Sequence, residues 1–227
     1  MWLFPAISAL VALIFSGLLL RQYLERHRPY QLAWAAALLM YAGASIALVL
    51  GVTGSGWSEA SYRAYWLLGA VLNVPYLAIG ELYLLVRRRA VVNGLFLLLV
   101  FATAFAFNRI RTATLVPQAL AADLPRGSRV WALDTLALDL ARYYSFPAYF
   151  LLIGGTLWSA WRMRGAPEMR NRFLGTLGIA IGATVVAAGS AFAATVNLPG
   201  FTITITIGIT AMFWGFLRAS RQTAASR

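Results

Sequence analysis

Glu81 is the one acidic residue that falls inside an apolar stretch of this 227-residue chain, six residues before Arg87 and roughly 9 Å from it along a helix. An ionisable group at that depth is a functional candidate by default, because charge in hydrocarbon is costly. Two roles fit it: handling a proton or ligand, or pairing with Arg88, which lies seven residues on and so shares its helical face. Asn73, Pro75 and Tyr76 lie deeper in the same stretch. Pro75 removes the hydrogen bond to the Val71 carbonyl and can kink the helix, and a kinked polar helix can line a cavity. Tyr41 and Ser45, four residues apart, and Thr202, Thr206 and Thr210, also four apart, could supply the facing wall. Threonine stripes in membrane helices also bond their own backbone or a neighbouring helix, and packing is the favoured reading here.

A second pattern concerns contact between helices. Gly175, Gly178, Gly182 and Gly189 share one apolar stretch, and Gly178-x-x-x-Gly182 has the spacing that lets two helix backbones touch. The neighbour is either another helix of this chain or a second subunit. Asp134 and Asp139 are five residues apart, about 140° on a helix, which is poor geometry for holding a cation together. With no cysteine and the single histidine His27, the chain lacks the usual ligands for zinc, copper, haem or iron–sulfur centres, and no cofactor is expected.

The elements that position these residues follow from composition. The chain is 61% hydrophobic and 11% charged, with a mean hydropathy of +0.73, far from the mix of a soluble domain. Apolar stretches recur at 2–20, 32–52, 65–86, 91–107, 144–161, 173–196 and 201–217. Each is near the length that crosses a ~30 Å hydrocarbon core, and each must be a helix because lipid leaves an isolated strand unpaired. The expectation is therefore an all-α, polytopic protein with seven transmembrane helices in one membrane domain over 1–227. The first stretch lacks the basic start and small-residue cleavage site of a signal peptide and is read as retained.

All nineteen basic residues are arginine. Thirteen of them fall on one side of a seven-span topology and six on the other, which places the N-terminus outside and the C-terminus in the cytoplasm. This asymmetry accounts for the net charge of +12 without nucleic acid and implies a bilayer with anionic headgroups as partner. The expected location is the inner (cytoplasmic) membrane. Trp2, Trp57, Trp66 and Trp131 fall near one boundary and Trp34, Trp158, Trp161 and Trp214 near the other, as in an aromatic belt. The outer loop 108–143 is expected to end in an amphipathic surface helix at about 130–143.

The spans group as three, one and three, and the triplets open alike, with Phe4-Pro5-Ala6 and Phe146-Pro147-Ala148. Parallel repeats joined by a linker helix would give this pattern. The topology is similar to that of microbial rhodopsins and SWEET sugar carriers. The chain has no lysine to hold retinal, however, and of the SWEET asparagines only the third-helix position has a counterpart, Asn73. The stretches Tyr62-Arg63-Ala64-Tyr65-Trp66-Leu67-Leu68-Gly69-Ala70 with Leu72-Asn73-Val74-Pro75, Leu124-Pro125-Arg126-Gly127 and Gly154-Gly155-Thr156-Leu157-Trp158-Ser159-Ala160-Trp161-Arg162 more closely resemble uncharacterised bacterial seven-helix integral membrane proteins. That resemblance implies the fold and no activity.

No serine–histidine pair, paired carboxylates or metal cluster lies at membrane depth, so an enzyme is not expected. The reading that the sequence favours is a subunit or accessory component of a membrane assembly, packing beside other membrane proteins or copies of itself through the glycine stripe. The alternative is a small-solute or proton-linked carrier with a cavity between the third and seventh helices, using Glu81, Asn73, Tyr76, Tyr41 and Thr206. A sensor acting through a separate partner chain is a third reading.

Overall fold

Runs of leucine, alanine, valine and phenylalanine with few helix breakers give seven long helices among the residues that the computed structural model describes, which are 2–54, 56–133, 135–164, 170–191 and 198–225. They are α1 (Leu3–Arg26), α2 (Pro29–Thr53), α3 (Glu59–Leu85), α4 (Arg89–Thr112), α5 (Ala137–Met163), α6 (Arg170–Ala191) and α7 (Leu198–Ala225). Five of them, α1 to α4 and the Leu198–Ala219 part of α7, are long and apolar enough to cross a membrane. In α6 the apolar part is the shorter Phe173–Gly189. α5 carries Asp139, Arg142 and an internal Pro147.

Turn chemistry sets the junctions. The α1–α2 connection is two residues long, with His27 in the left-handed region at φ 52° and its N–H bonded to the Tyr23 carbonyl at 2.7 Å, and Pro29 then opens α2 where its missing N–H costs nothing. α3 begins with a Ser58 cap whose side chain accepts from the Ser61 N–H at 3.1 Å.

Six helices pack in a closed order, α1 on α2, α2 on α3, α3 on α5, α5 on α6, α6 on α7, and α7 back on α1. This pattern maps onto itself when α1, α2 and α3 are exchanged for α5, α6 and α7. In the sequence, 142 residues separate the Pro5 and Pro147 of the two Phe-Pro-Ala runs. α4 stands outside the ring, against α3 and α5. Its buried residues Val92, Leu99 and Ala106 recur every seven positions, and Ile110 follows one turn later. One narrow seam therefore holds it, and Leu97, Leu98, Phe101 and Phe107 face outward.

The segment between α4 and α5 departs from expectation. Among the described residues of 130–143, the stretch before Ala137 does not continue as the expected amphipathic helix. A single helical turn, Gly127–Val130, is followed by an extended Trp131 bridged to Leu115, and α5 starts only at Ala137 before running unbroken to Met163. Tertiary packing explains the change, because Val130 and Trp131 are drawn under the loop and almost wholly buried. Trp131 joins Trp57, Tyr62, Tyr65 and Trp66 in one aromatic cluster at this end of the bundle. Trp57 and Trp131 are therefore packing residues rather than belt residues. Trp2, Trp158, Trp161 and Trp214 are about half exposed, as a belt would have them.

Candidate functional site

α3 is irregular where it meets its neighbours. Trp66–Leu72 is wound as a π-helix before α-helical geometry resumes at Asn73. In π register the Ala70 carbonyl would look to the N–H of residue 75, and in α register the Val71 carbonyl would do so; residue 75 is proline and has none. Ser145 of α5 supplies the missing donor, its hydroxyl giving a 2.6 Å bond to the Ala70 carbonyl. The sequence pointed to a kink at Pro75, and the structure resolves the conflict by rewinding the turn before it.

The same helix presents Glu81 to α5. Glu81 is 2% exposed, and the hydroxyl of Ser159 donates to its Oε1 at 3.5 Å, a loose contact. Gly155 makes room for it: a Cβ there would lie 2.7 Å from the Glu81 Cγ and 3.1 Å from Oε1. One residue earlier, Gly80 admits the Trp34 indole, which donates from Nε1 to the Leu77 carbonyl at 3.0 Å. The expected pairing with Arg88 is not formed. α3 ends at Leu85, Val86 and Arg88 are extended, and Arg88 caps the next helix, so it no longer shares a face with Glu81. Among the described residues no arginine forms an ion pair with Glu81; the three pairs present are Arg21–Glu25, Arg63–Glu59 and Arg142–Asp139, all at partly or well exposed positions. Arg89 instead donates to the Tyr83 carbonyl at 2.7 Å and closes the end of α3.

The other candidates are brought together in pairs, each tying two helices. Asn73 donates to the Ala37 carbonyl of α2 at 3.1 Å. Tyr76 shares a 3.2 Å hydroxyl contact with Thr103 of α4. Tyr41 donates to the Ile205 carbonyl of α7 at 2.9 Å, reaching across the ring interior. Thr206 lies 2.8 Å from the Ser8 hydroxyl and within reach of the Phe4 and Thr202 carbonyls, fastening α7 to α1. Thr202 and Thr210 bond the carbonyls of Pro199 and Thr206 on their own helix. In the ring order α3 and α7 stand three places apart, on opposite sides of the ring.

The glycine stripe of α6 faces α7 of the same chain. A Cβ at Gly175 would meet the Gly215 carbonyl, one at Gly182 the Gly208 carbonyl, and one at Gly189 the Thr204 side chain, while Gly178 lies against Gly215 and Trp214. Of the two aspartates, Asp139 pairs with Arg142 at 3.6 Å, and Asp134 lies outside the described residues, as does Asn197.

Sequence reasoning missed Gly155 and Ser159 as parts of the Glu81 site. Their spacing of four places both on one face of α5, but nothing local announces which helix that face meets. These features define an all-helical protein with five helices fit to cross a membrane and, among the described residues, one buried carboxyl, at the α3–α5 contact. No family model, curated protein or solved structure matches the chain, and its function is read from this geometry.

Proposed function

We propose that this chain is a seven-span membrane carrier in which Glu81 binds and releases a proton as the two helix triplets move against each other. The observation that carries the reading is the Glu81 carboxyl itself, buried at the α3–α5 contact with a serine beside it and no ion-pair partner among the described residues. A buried carboxyl that serves only structure is normally satisfied by a cation or several donors; one held loosely depends for its charge on whether water reaches it. The self-mapping helix order supports the reading, because repeats packed about a pseudo-twofold axis give two bodies that can rock around a site between them. In such a cycle the carboxylate accepts a proton when the site opens to one side and returns it when the site opens to the other.

The subunit reading rested on the α6 stripe, and those glycines are spent on α7 within the chain. Orientation follows the arginine asymmetry, with the N-terminus outside and the cytoplasmic membrane as location. Purified protein in vesicles holding a pH-sensitive dye tests the function. An imposed solute gradient drawn from small neutral and acidic metabolites should move protons with the wild type, and Glu81→Gln should abolish the movement while inserting normally. Equal proton movement in both would overturn the proposal.

A further inference from the structure

A second feature lies at the other end of α3, in the segment joining α4 to α5. There a half-open surface cavity of about 400 Å³ is lined by Gln118, Ala119, Ala122, Leu124, Arg126 and Arg129, with Gln118, Ala122 and both arginines exposed at its rim. That size is in the range of small-molecule pockets. Arg126 caps one helical turn, Gly127–Val130, and Arg129 lies within it three residues on, with the Arg129 N–H bonded to the Arg126 carbonyl at 2.9 Å, so both arginines project from the same short element. The turn is rigidly set: Val130 and Trp131 are buried beside it, the Val116 N–H bonds the Val130 carbonyl at 2.8 Å, and Gly127 admits the Trp66 ring where a Cβ would clash.

Among the described residues the charge of these two arginines has no carboxylate against it. Elsewhere at this end Arg63 pairs with Glu59 and donates to the Ile110 carbonyl, Arg142 pairs with Asp139, and Arg109 lies over the Phe105 ring. No described carboxylate pairs with Arg126 or Arg129, and no acid lines the cavity. Asp123, next to two lining residues, stays outside it and gives its carbonyl to the Trp57 indole at 3.2 Å.

We infer that the cavity binds an oxyanion, a phosphate ester or a carboxylate attached to a small apolar group. The guanidinium fork matches the two oxygens of such a head, Gln118 can donate a further hydrogen bond, and Ala119, Ala122 and Leu124 suit an apolar remainder. The same chemistry is offered by a free organic anion and by a phospholipid headgroup. The inference uses no residue of the Glu81 site, and either can fail alone.

The test uses the full chain in nanodiscs. In one arm, discs of phosphatidylcholine are titrated with glycerol 3-phosphate by calorimetry. In the other, discs containing phosphatidylglycerol receive no added anion, and native mass spectrometry reads the lipid that stays bound. Saturable binding in the first arm assigns a free anion, and retention confined to the second assigns a headgroup. Arg126→Gln with Arg129→Gln should weaken either at least tenfold, while Arg111→Gln, an exposed arginine at the same end, should leave it unchanged. Ala122→Phe, which fills the cavity and keeps both charges, should also abolish it. Binding absent from both arms, or unaltered by the double substitution and by Ala122→Phe, would overturn the inference.

Discussion

At the scale of single residues, most of the polar side chains in this apolar chain are already occupied. Tyr41, Asn73, Ser145 and Trp34 each donate to a main-chain carbonyl of another helix, three of them to carbonyls within helices where the acceptor keeps a spare lone pair. Such bonds are worth about 0.6 kcal/mol on average in membrane proteins, rising to about 1.7. Tyr41→Phe and Asn73→Ala should therefore each lower thermal stability by that order and leave transport per folded molecule unchanged, read by melting in detergent beside vesicle flux. Loss of flux at full stability would place either residue in the pathway. Glu81 differs, since its described polar neighbour is one hydroxyl at 3.5 Å. A hydrophobic carbodiimide should add to Glu81 in native membranes, and the adduct, detected by peptide mass, should be absent from Glu81→Gln; a wild-type protein left unmodified would contradict its exchange with water. Glu81 was legible in the sequence because its type is out of place among apolar neighbours. Gly155 and Ser159 were not, because which helix lies beside α3 is a property of the ring and not of any window of sequence.

At the scale of elements, backbone proximity separates the glycines. A Cβ at Gly182 would sit 2.5 Å from the Gly208 carbonyl, whereas one at Gly154 would meet nothing within 4 Å. Gly182→Leu should destabilise by about 1–3 kcal/mol or more through overpacking against a backbone that cannot yield. Gly154→Leu should be neutral or slightly stabilising, by up to about 1 kcal/mol, since leucine favours helix more than glycine does. Denaturation of the two variants side by side checks this, and equal stability would contradict the close α6–α7 packing. The long helices were readable from hydropathy alone, because length and apolar content decide them. The helix expected over 130–143 begins only at Ala137, because the apolar residues Val130 and Trp131 are buried beside the 114–116 segment. The π turn at Trp66–Leu72 was half legible: Pro75 announced a defect, but its place and form depend on the Ser145 hydroxyl from a distant helix.

At the scale of the whole molecule, the account needs two triplets that are separate bodies sharing one closed ring. α1 meets α7, and α3 meets α5, across the two contacts between them. The repeated Phe-Pro-Ala was a faint trace of this arrangement in the sequence, because helix order in a ring leaves little local mark. The ring offers a direct test, since the chain has no cysteine of its own. Ser8 and Thr206 lie with their hydroxyl oxygens 2.8 Å apart across the α1–α7 contact, and changing both to cysteine puts a removable bond between the triplets. The measurement that bears most directly on the proposed carrier function is proton movement in vesicles by this Ser8→Cys, Thr206→Cys protein, oxidised and then reduced in one preparation. A cross-link that keeps the mass of a single chain should stop proton movement when closed and restore it when reduced. Full cross-linking with undiminished proton movement would contradict that function.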